Sequence, residues 1–214
     1  VAEPPLEDDT PRLTFRRLFG LDRSGPPPAQ TQAGAPLRPW TLPNAIGFVR
    51  LVLIPVFLIL ALSSHDGTGA LIATVFGVIG WGDYADGIAA RVTRQYSRLG
   101  ALMDPVTDRL LVLCGVVVTW RFHLLPRWAL ALLAARELAM LIAGRYGISR
   151  GVELRINWPG RLAVAPVMGS FFFAMASLDK FAEVLLYVGL ALALVATVLY
   201  ACSGVRQLRT GAGP

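Results

Sequence analysis

The chain has 214 residues, 55% of them hydrophobic, and a mean hydropathy of +0.57, which excludes an ordinary soluble domain whose helices keep one wet face. Its net charge of +6 comes from 19 arginines and a single lysine, Lys180, and no nucleic acid is expected as a partner. Cys114 and Cys202 both lie in apolar runs without C-x-x-C spacing, which argues against disulfide, redox or metal-thiolate work.

In chain order, residues 1–40 read as a flexible cytosolic arm. Acidic "EPPLEDD" is followed by basic and aromatic "RLTFRRLFGL" and then by Pro-rich "SGPPPAQTQAGAP", which has no core to build. Within it, Arg12 to Leu21 alternates apolar residues with arginines, a pattern that suits an interfacial helix on anionic headgroups as well as a solvated basic run. Residues 41–205 form the membrane domain. Apolar segments at about 43–62, 69–90, 99–120, 124–144, 159–177 and 181–203 each approach the roughly 20 residues needed to cross a bilayer. The expected fold is therefore all-α, with six transmembrane helices and a short cytosolic tail at 206–214.

Arginine placement sets the orientation, because short loops rich in Arg or Lys stay in the cytosol. The 91–98 connection carries Arg91, Arg94 and Arg98, the 145–161 connection carries Arg145, Arg150, Arg155 and Arg161, and the arm has five arginines. The 63–68 loop has none. Both termini are expected in the cytosol, and so is the 91–98 connection, within residues 83–108.

Four aspartates stand between the second and third apolar runs. Asp83 and Asp86 are three apart and Asp104 and Asp108 four apart, so each pair projects from one face of its helix. Arg91 follows Trp81 by ten residues, about 15 Å at helical rise, which puts the cluster in the cytosolic third of the bilayer. Four facing carboxylates repel, and an ionised Asp at depth costs roughly 2.5–3.5 kcal/mol on insertion scales, so a positive partner is required. With no His or Cys nearby, a hard divalent cation, Mg²⁺ or Mn²⁺, suits the oxygen donors. Two such ions would clamp a phosphoryl group. Gly82, Gly87, Ala90 and Gly100 let backbone approach a bulky ligand, and Arg91 can contact a phosphate from the rim.

These residues match, spacing for spacing, D-x2-D-G-x2-A-R-x8-G-x3-D-x3-D, here Asp83, Asp86, Gly87, Ala90, Arg91, Gly100, Asp104 and Asp108. The stretch resembles the signature of the CDP-alcohol phosphatidyltransferase family. That resemblance implies transfer of a phosphatidyl group from CDP-diacylglycerol to an acceptor hydroxyl, with release of CMP, by a homodimer among membrane lipids. It implies two divalent ions on Asp83, Asp86, Asp104 and Asp108. It also implies a CDP site built from Asp83, Asp86, Gly87, Ala90, Arg91, Gly100, Asp104 and Asn44, and Asp108 as general base.

"LPNAIGFVRLVLIP" is similar to the first helix of the phosphatidylglycerophosphate and cardiolipin synthases of this family, whose pattern is P-N-x-x-T-x-x-R. Pro43, Asn44 and Arg50 match it, and Gly47 stands at the Thr position. Charges inside spans mark function by default, so Arg50, Arg136 and Arg161 are the candidate acceptor-binding residues, and the last two are expected to hold an acceptor phosphate. Pairing of Arg136 with Glu137 or a neighbouring helix is the plainer alternative for that residue. Glycerol 3-phosphate is the expected acceptor; phosphatidylglycerol, as in a cardiolipin synthase, and inositol phosphate are the alternatives. A divalent-cation transporter or channel would also use intramembrane acids. The helix-end position of the cluster, the missing internal repeat and the motif glycines count against it.

Overall fold

The computed structural model describes residues 39–93, 95–149 and 158–210, with side chains throughout except at 141, 143–149, 158–161 and 203–210. Residues 1–38 of the arm, with the Arg12 to Leu21 stretch, and the side chains of Arg145, Arg150, Arg155 and Arg161 lie outside the described residues. Among those described, the chain forms six helices and no strand: α1 Leu42–Leu62, α2 Ala70–Thr93, α3 Arg98–Arg121, α4 Arg127–Ser149, α5 Trp158–Met175 and α6 Asp179–Thr210. The all-α expectation agrees with this architecture.

Local signals explain the boundaries. Thr41 caps α1 by accepting from the Asn44 N–H, with Pro43 in the first turn where its missing donor costs nothing. Ser97 caps α3 in the same way, accepting from the Gly100 N–H at 2.9 Å. The α3 and α5 ends turn through positive-φ residues, His123 (56°) and Ser177 (61°). There Leu124 N–H donates to Thr119 O at 3.0 Å and Leu178 N–H to Phe173 O at 2.9 Å, closing the last helical carbonyls. The loop after α1 joins this end of the bundle, since Gly69 N–H donates to Met175 O at 2.8 Å.

The core is a run of aromatic and aliphatic side chains drawn from all six helices. Phe57 and Phe76 have ring centroids 5.3 Å apart, and Phe76 meets Phe171 edge-on at 6.1 Å. Ile79, Leu111, Val118, Leu130 and Leu186 complete it. Outside, the pattern inverts that of a soluble protein: large apolar side chains such as Val52, Val78, Leu113, Leu138, Val164 and Val184 are exposed on each of the six helices, while Asn44, Arg50 and Asp86 are buried. By length and composition, α1 and residues Asp179–Cys202 of α6 can each cross a membrane, and Leu162–Met175 is a shorter apolar stretch. Helices α2, α3 and α4 carry ionisable residues, Asp83 and Asp86 on α2, Asp104 and Asp108 on α3, and Arg136 with Glu137 on α4, which lowers their apolar content.

Candidate active site

Arg50 sits at the centre of the acidic cluster. From α1 it crosses to α2, where its Nε donates to the Ile79 carbonyl at 2.9 Å and its Nη1 lies 3.2 Å from Asp83 Oδ1 and 3.1 Å from Asp86 Oδ2. Its Nη2 reaches Asp108 Oδ1 on α3 at 2.9 Å. One guanidinium thus joins three of the four aspartates across three helices, by charge-assisted bonds, a class stronger than neutral ones. The side chain of Arg50 is 2% exposed and that of Asp86 8%, whereas Asp83 and Asp108 are 46% and 47% exposed. The cluster therefore has a closed floor and two acids that a ligand can reach.

Arg50, expected at the acceptor with Arg136 and Arg161, lies among the aspartates. The physical reason is the one anticipated for the acids themselves, a positive charge to offset buried carboxylates. Gly82 makes the placement possible. A Cβ there would stand 2.7 Å from Arg50 Cδ and 2.8 Å from Cγ, so the aliphatic stem of Arg50 occupies the room that Gly82 was expected to leave for a ligand.

Beside the cluster lies a cleft of about 190 Å³. Six motif residues line it, Asp86, Gly87, Ala90, Arg91, Gly100 and Asp104, together with Pro43, Asn44 and Gly47 of α1. The Arg91 guanidinium lies over Gly87, where a Cβ would meet Nη2 at 3.3 Å. Gly100 is held closely by the start of α1: a Cβ would stand 2.8 Å from Asn44 Oδ1. That oxygen also accepts from Ser97 Oγ at 2.8 Å, while Asn44 Nδ2 donates to Pro39 O at 3.1 Å. Leu42 N–H donates to Gln95 Oε1 at 3.0 Å, so the connection between α2 and α3 ties down the mouth of the cleft. Gln95, Tyr96 and Ser97 line it as well. Sequence reasoning treated them as a spacer, although Ser97 three residues before Gly100 is a helix-start signal.

Arg136 lines a different hollow, of about 50 Å³, with Val112, Leu133, Val167 and Ala193 among its walls. Its Nε donates to Thr197 Oγ1 on α6 at 3.0 Å, and its Nη1 pairs with Glu137, which also receives Arg109 Nη1 at 3.3 Å. The structure does not bring Arg136 to the cleft, and its contacts are those of the pairing alternative. Arg161 lies in the first turn of α5, with its side chain outside the described residues.

The expected metal set is only partly assembled. Among the described residues no three acids, histidines or cysteines converge closely enough to hold an ion as they stand, and Arg50 bridges three of the carboxylates. The donor set still fits a hard divalent cation. Four carboxylates stand around the single guanidinium of Arg50, and all the donors are oxygens.

Residues 40–198 match the sequence profile of the CDP-alcohol phosphatidyltransferase family. The chain belongs to that family. Its members are membrane proteins and generally use divalent metals. A Mycobacterium tuberculosis protein provisionally named a cardiolipin synthase is 38% identical over 135 residues, 61% of this chain and 62% of that one. The Streptomyces coelicolor cardiolipin synthase (CMP-forming) is 37% identical over 141 residues, 61% of this chain and 63% of its own length. The CDP-diacylglycerol–glycerol-3-phosphate 3-phosphatidyltransferase of Salmonella paratyphi A is 27% identical over 181 residues, 81% of this chain and 96% of that one. The chain thus spans a little over three-fifths of the first two relatives, about 62% and 63%. All eight signature residues fall inside the matched range, six of them around one cleft and the other two, Asp83 and Asp108, on Arg50.

Proposed function

We propose that the chain transfers a phosphatidyl group from CDP-diacylglycerol to the hydroxyl of an acceptor alcohol and releases CMP. One observation carries the reading: the motif's glycines, alanine and arginine line a cleft whose wall includes Asp86 and Asp104, beside the exposed carboxylates of Asp83 and Asp108. Gly87, Ala90 and Gly100 leave room for the cytidine diphosphate, Asn44 fixes the cleft mouth, and Arg91 meets phosphate. Asp83, Asp86, Asp104 and Asp108 would hold the divalent ions, Mg²⁺ or Mn²⁺, which when bound stabilise negative charge on the phosphoryl oxygens. Asp108, half exposed, takes the proton from the acceptor hydroxyl. The acceptor oxygen then bonds to the lipid-bearing phosphorus, and the bond from that phosphorus to the CMP oxygen breaks.

The inverted burial pattern, apolar outside on six helices and charged inside, supports six membrane spans. Arg-rich connections at 91–98 and 145–161 support a cytosolic active site in a bacterial inner membrane. Dimerisation rests on family likeness. A divalent-cation transporter or channel is disfavoured because Arg50 closes the floor of the acid cluster.

Two acceptors fit this chemistry. The higher identity to the cardiolipin synthases, and the engagement of Arg136 by Glu137 and Thr197, favour phosphatidylglycerol. The coverage of the Salmonella relative favours glycerol 3-phosphate as the second reading, in which Arg136 and Arg161 would hold the acceptor phosphate. Incubating the purified chain with CDP-diacylglycerol and each acceptor, then identifying the lipid by mass spectrometry, decides between them. Cardiolipin supports the first, phosphatidylglycerophosphate the second, and no new phospholipid with either contradicts both.

A further inference from the structure

We propose that Arg50 is a resident counter-cation, which holds the acid cluster together in the metal-free protein and competes with the divalent ion for the oxygens of Asp83, Asp86 and Asp108. The inference rests on the reading that these acids bind such an ion.

Three observations support it. Every nitrogen of the guanidinium is engaged, with Nε on a backbone carbonyl and both Nη atoms on carboxylates drawn from α2 and α3. Its seat is shaped for it, since the stem lies over Gly82, where any side chain would collide with Cγ and Cδ. Burial makes the pairing consequential, because Arg50 and Asp86 are both nearly inaccessible and a buried charge that loses its partner is costly.

Competition follows from the chemistry. A carboxylate oxygen that accepts from a guanidinium 2.9–3.2 Å away has one lone pair committed and part of its charge offset, which weakens it as a metal ligand. The positive charge also repels an incoming cation. Arg50 is therefore a positioning residue with two opposed effects: it keeps three acids from α2 and α3 facing one another, and it weakens their affinity for a free ion.

The test is Mn²⁺ binding to the metal-stripped full chain in detergent without substrate, read from the free-ion signal in electron paramagnetic resonance. Thermal unfolding is measured in parallel, in EDTA and in Mn²⁺. Arg50→Gln should bind Mn²⁺ about tenfold more tightly, as expected for removing one unit charge a few ångströms from the ion after solvent screening. It should also melt lower in EDTA, with the deficit shrinking when Mn²⁺ is added. Gly82→Ala, which keeps the guanidinium but unseats it, should shift both readouts the same way by less, and it decides the matter if Arg50→Gln does not fold. Wild-type binding with no tightening in either variant overturns the role of Arg50 alone. Absence of Mn²⁺ binding from wild type and variants overturns the metal reading and this inference together.

Discussion

Arg50 and Asp86 form a buried ion pair, with Nη1 3.1 Å from Oδ2 and side chains 2% and 8% exposed. The pair is asymmetric. Arg50 has two further carboxylate partners and a carbonyl, whereas Arg50 supplies the one salt bridge that Asp86 makes among the described residues. Arg50→Met should therefore cost about 3–5 kcal/mol of metal-free stability, the range for leaving buried charge unpaired. Asp86→Asn should cost clearly less, because Arg50 keeps Asp83 and Asp108. Thermal unfolding of both variants in EDTA checks this, and equal losses would contradict it.

Gly47 and Gly100 line the same cleft but tolerate a methyl group differently. A Cβ at Gly47 meets only Met103 Cε, at 3.6 Å, an ordinary contact, whereas at Gly100 it meets Asn44 Oδ1 at 2.8 Å. Gly47→Ala should raise stability by up to about 1 kcal/mol through helix propensity. Gly100→Ala should push α1 from α3 and raise the KM for the CDP-lipid, by about tenfold as a unit of lost binding energy. Unfolding midpoints and steady-state kinetics of the two variants separate these outcomes.

Arg136 is committed to Glu137 and Thr197. Arg136→Ala should cost about 1.5–3 kcal/mol of stability, the value of bonds to a charged group. It should lower kcat/KM for the CDP-lipid and for the acceptor to the same degree. A rise in KM confined to a phosphorylated acceptor would restore the residue to the acceptor site.

Leu113 on α3 and Leu138 on α4 are exposed apolar residues on helices that carry charges elsewhere. On the six-span reading proposed above, Leu113→Asp and Leu138→Asp should each oppose insertion by roughly 2.5–3.5 kcal/mol and deplete the chain from the membrane fraction. Unchanged membrane yield would place those faces in water.

The local features of this chain were legible and the long-range ones were not. Helix number followed from apolar run length, and the three- and four-residue spacings put Asp83 with Asp86 and Asp104 with Asp108, because those patterns are read within one helix. The partner of these acids was not legible: Arg50 lies 33 residues before Asp83 and 58 before Asp108, and no periodicity encodes how α1 seats on α2. Gly82 was misread for the same reason, since its open space is filled by a side chain from another helix. Arg136 shows the limit of charge in a span as a guide to function, because pairing within and between helices satisfies it as well as a ligand would.

Phosphatidyl transfer dependent on a divalent ion and on Asp108 is the claim on which the functional reading depends. CMP release by the full chain in detergent with CDP-diacylglycerol and Mg²⁺ should require phosphatidylglycerol or glycerol 3-phosphate and cease in EDTA. It should fall at least about a hundredfold in Asp108→Asn, the scale of a lost general base, while that variant still binds the CDP-lipid. Acceptor-dependent CMP release that persists in EDTA, or at near wild-type rate in Asp108→Asn, would contradict it.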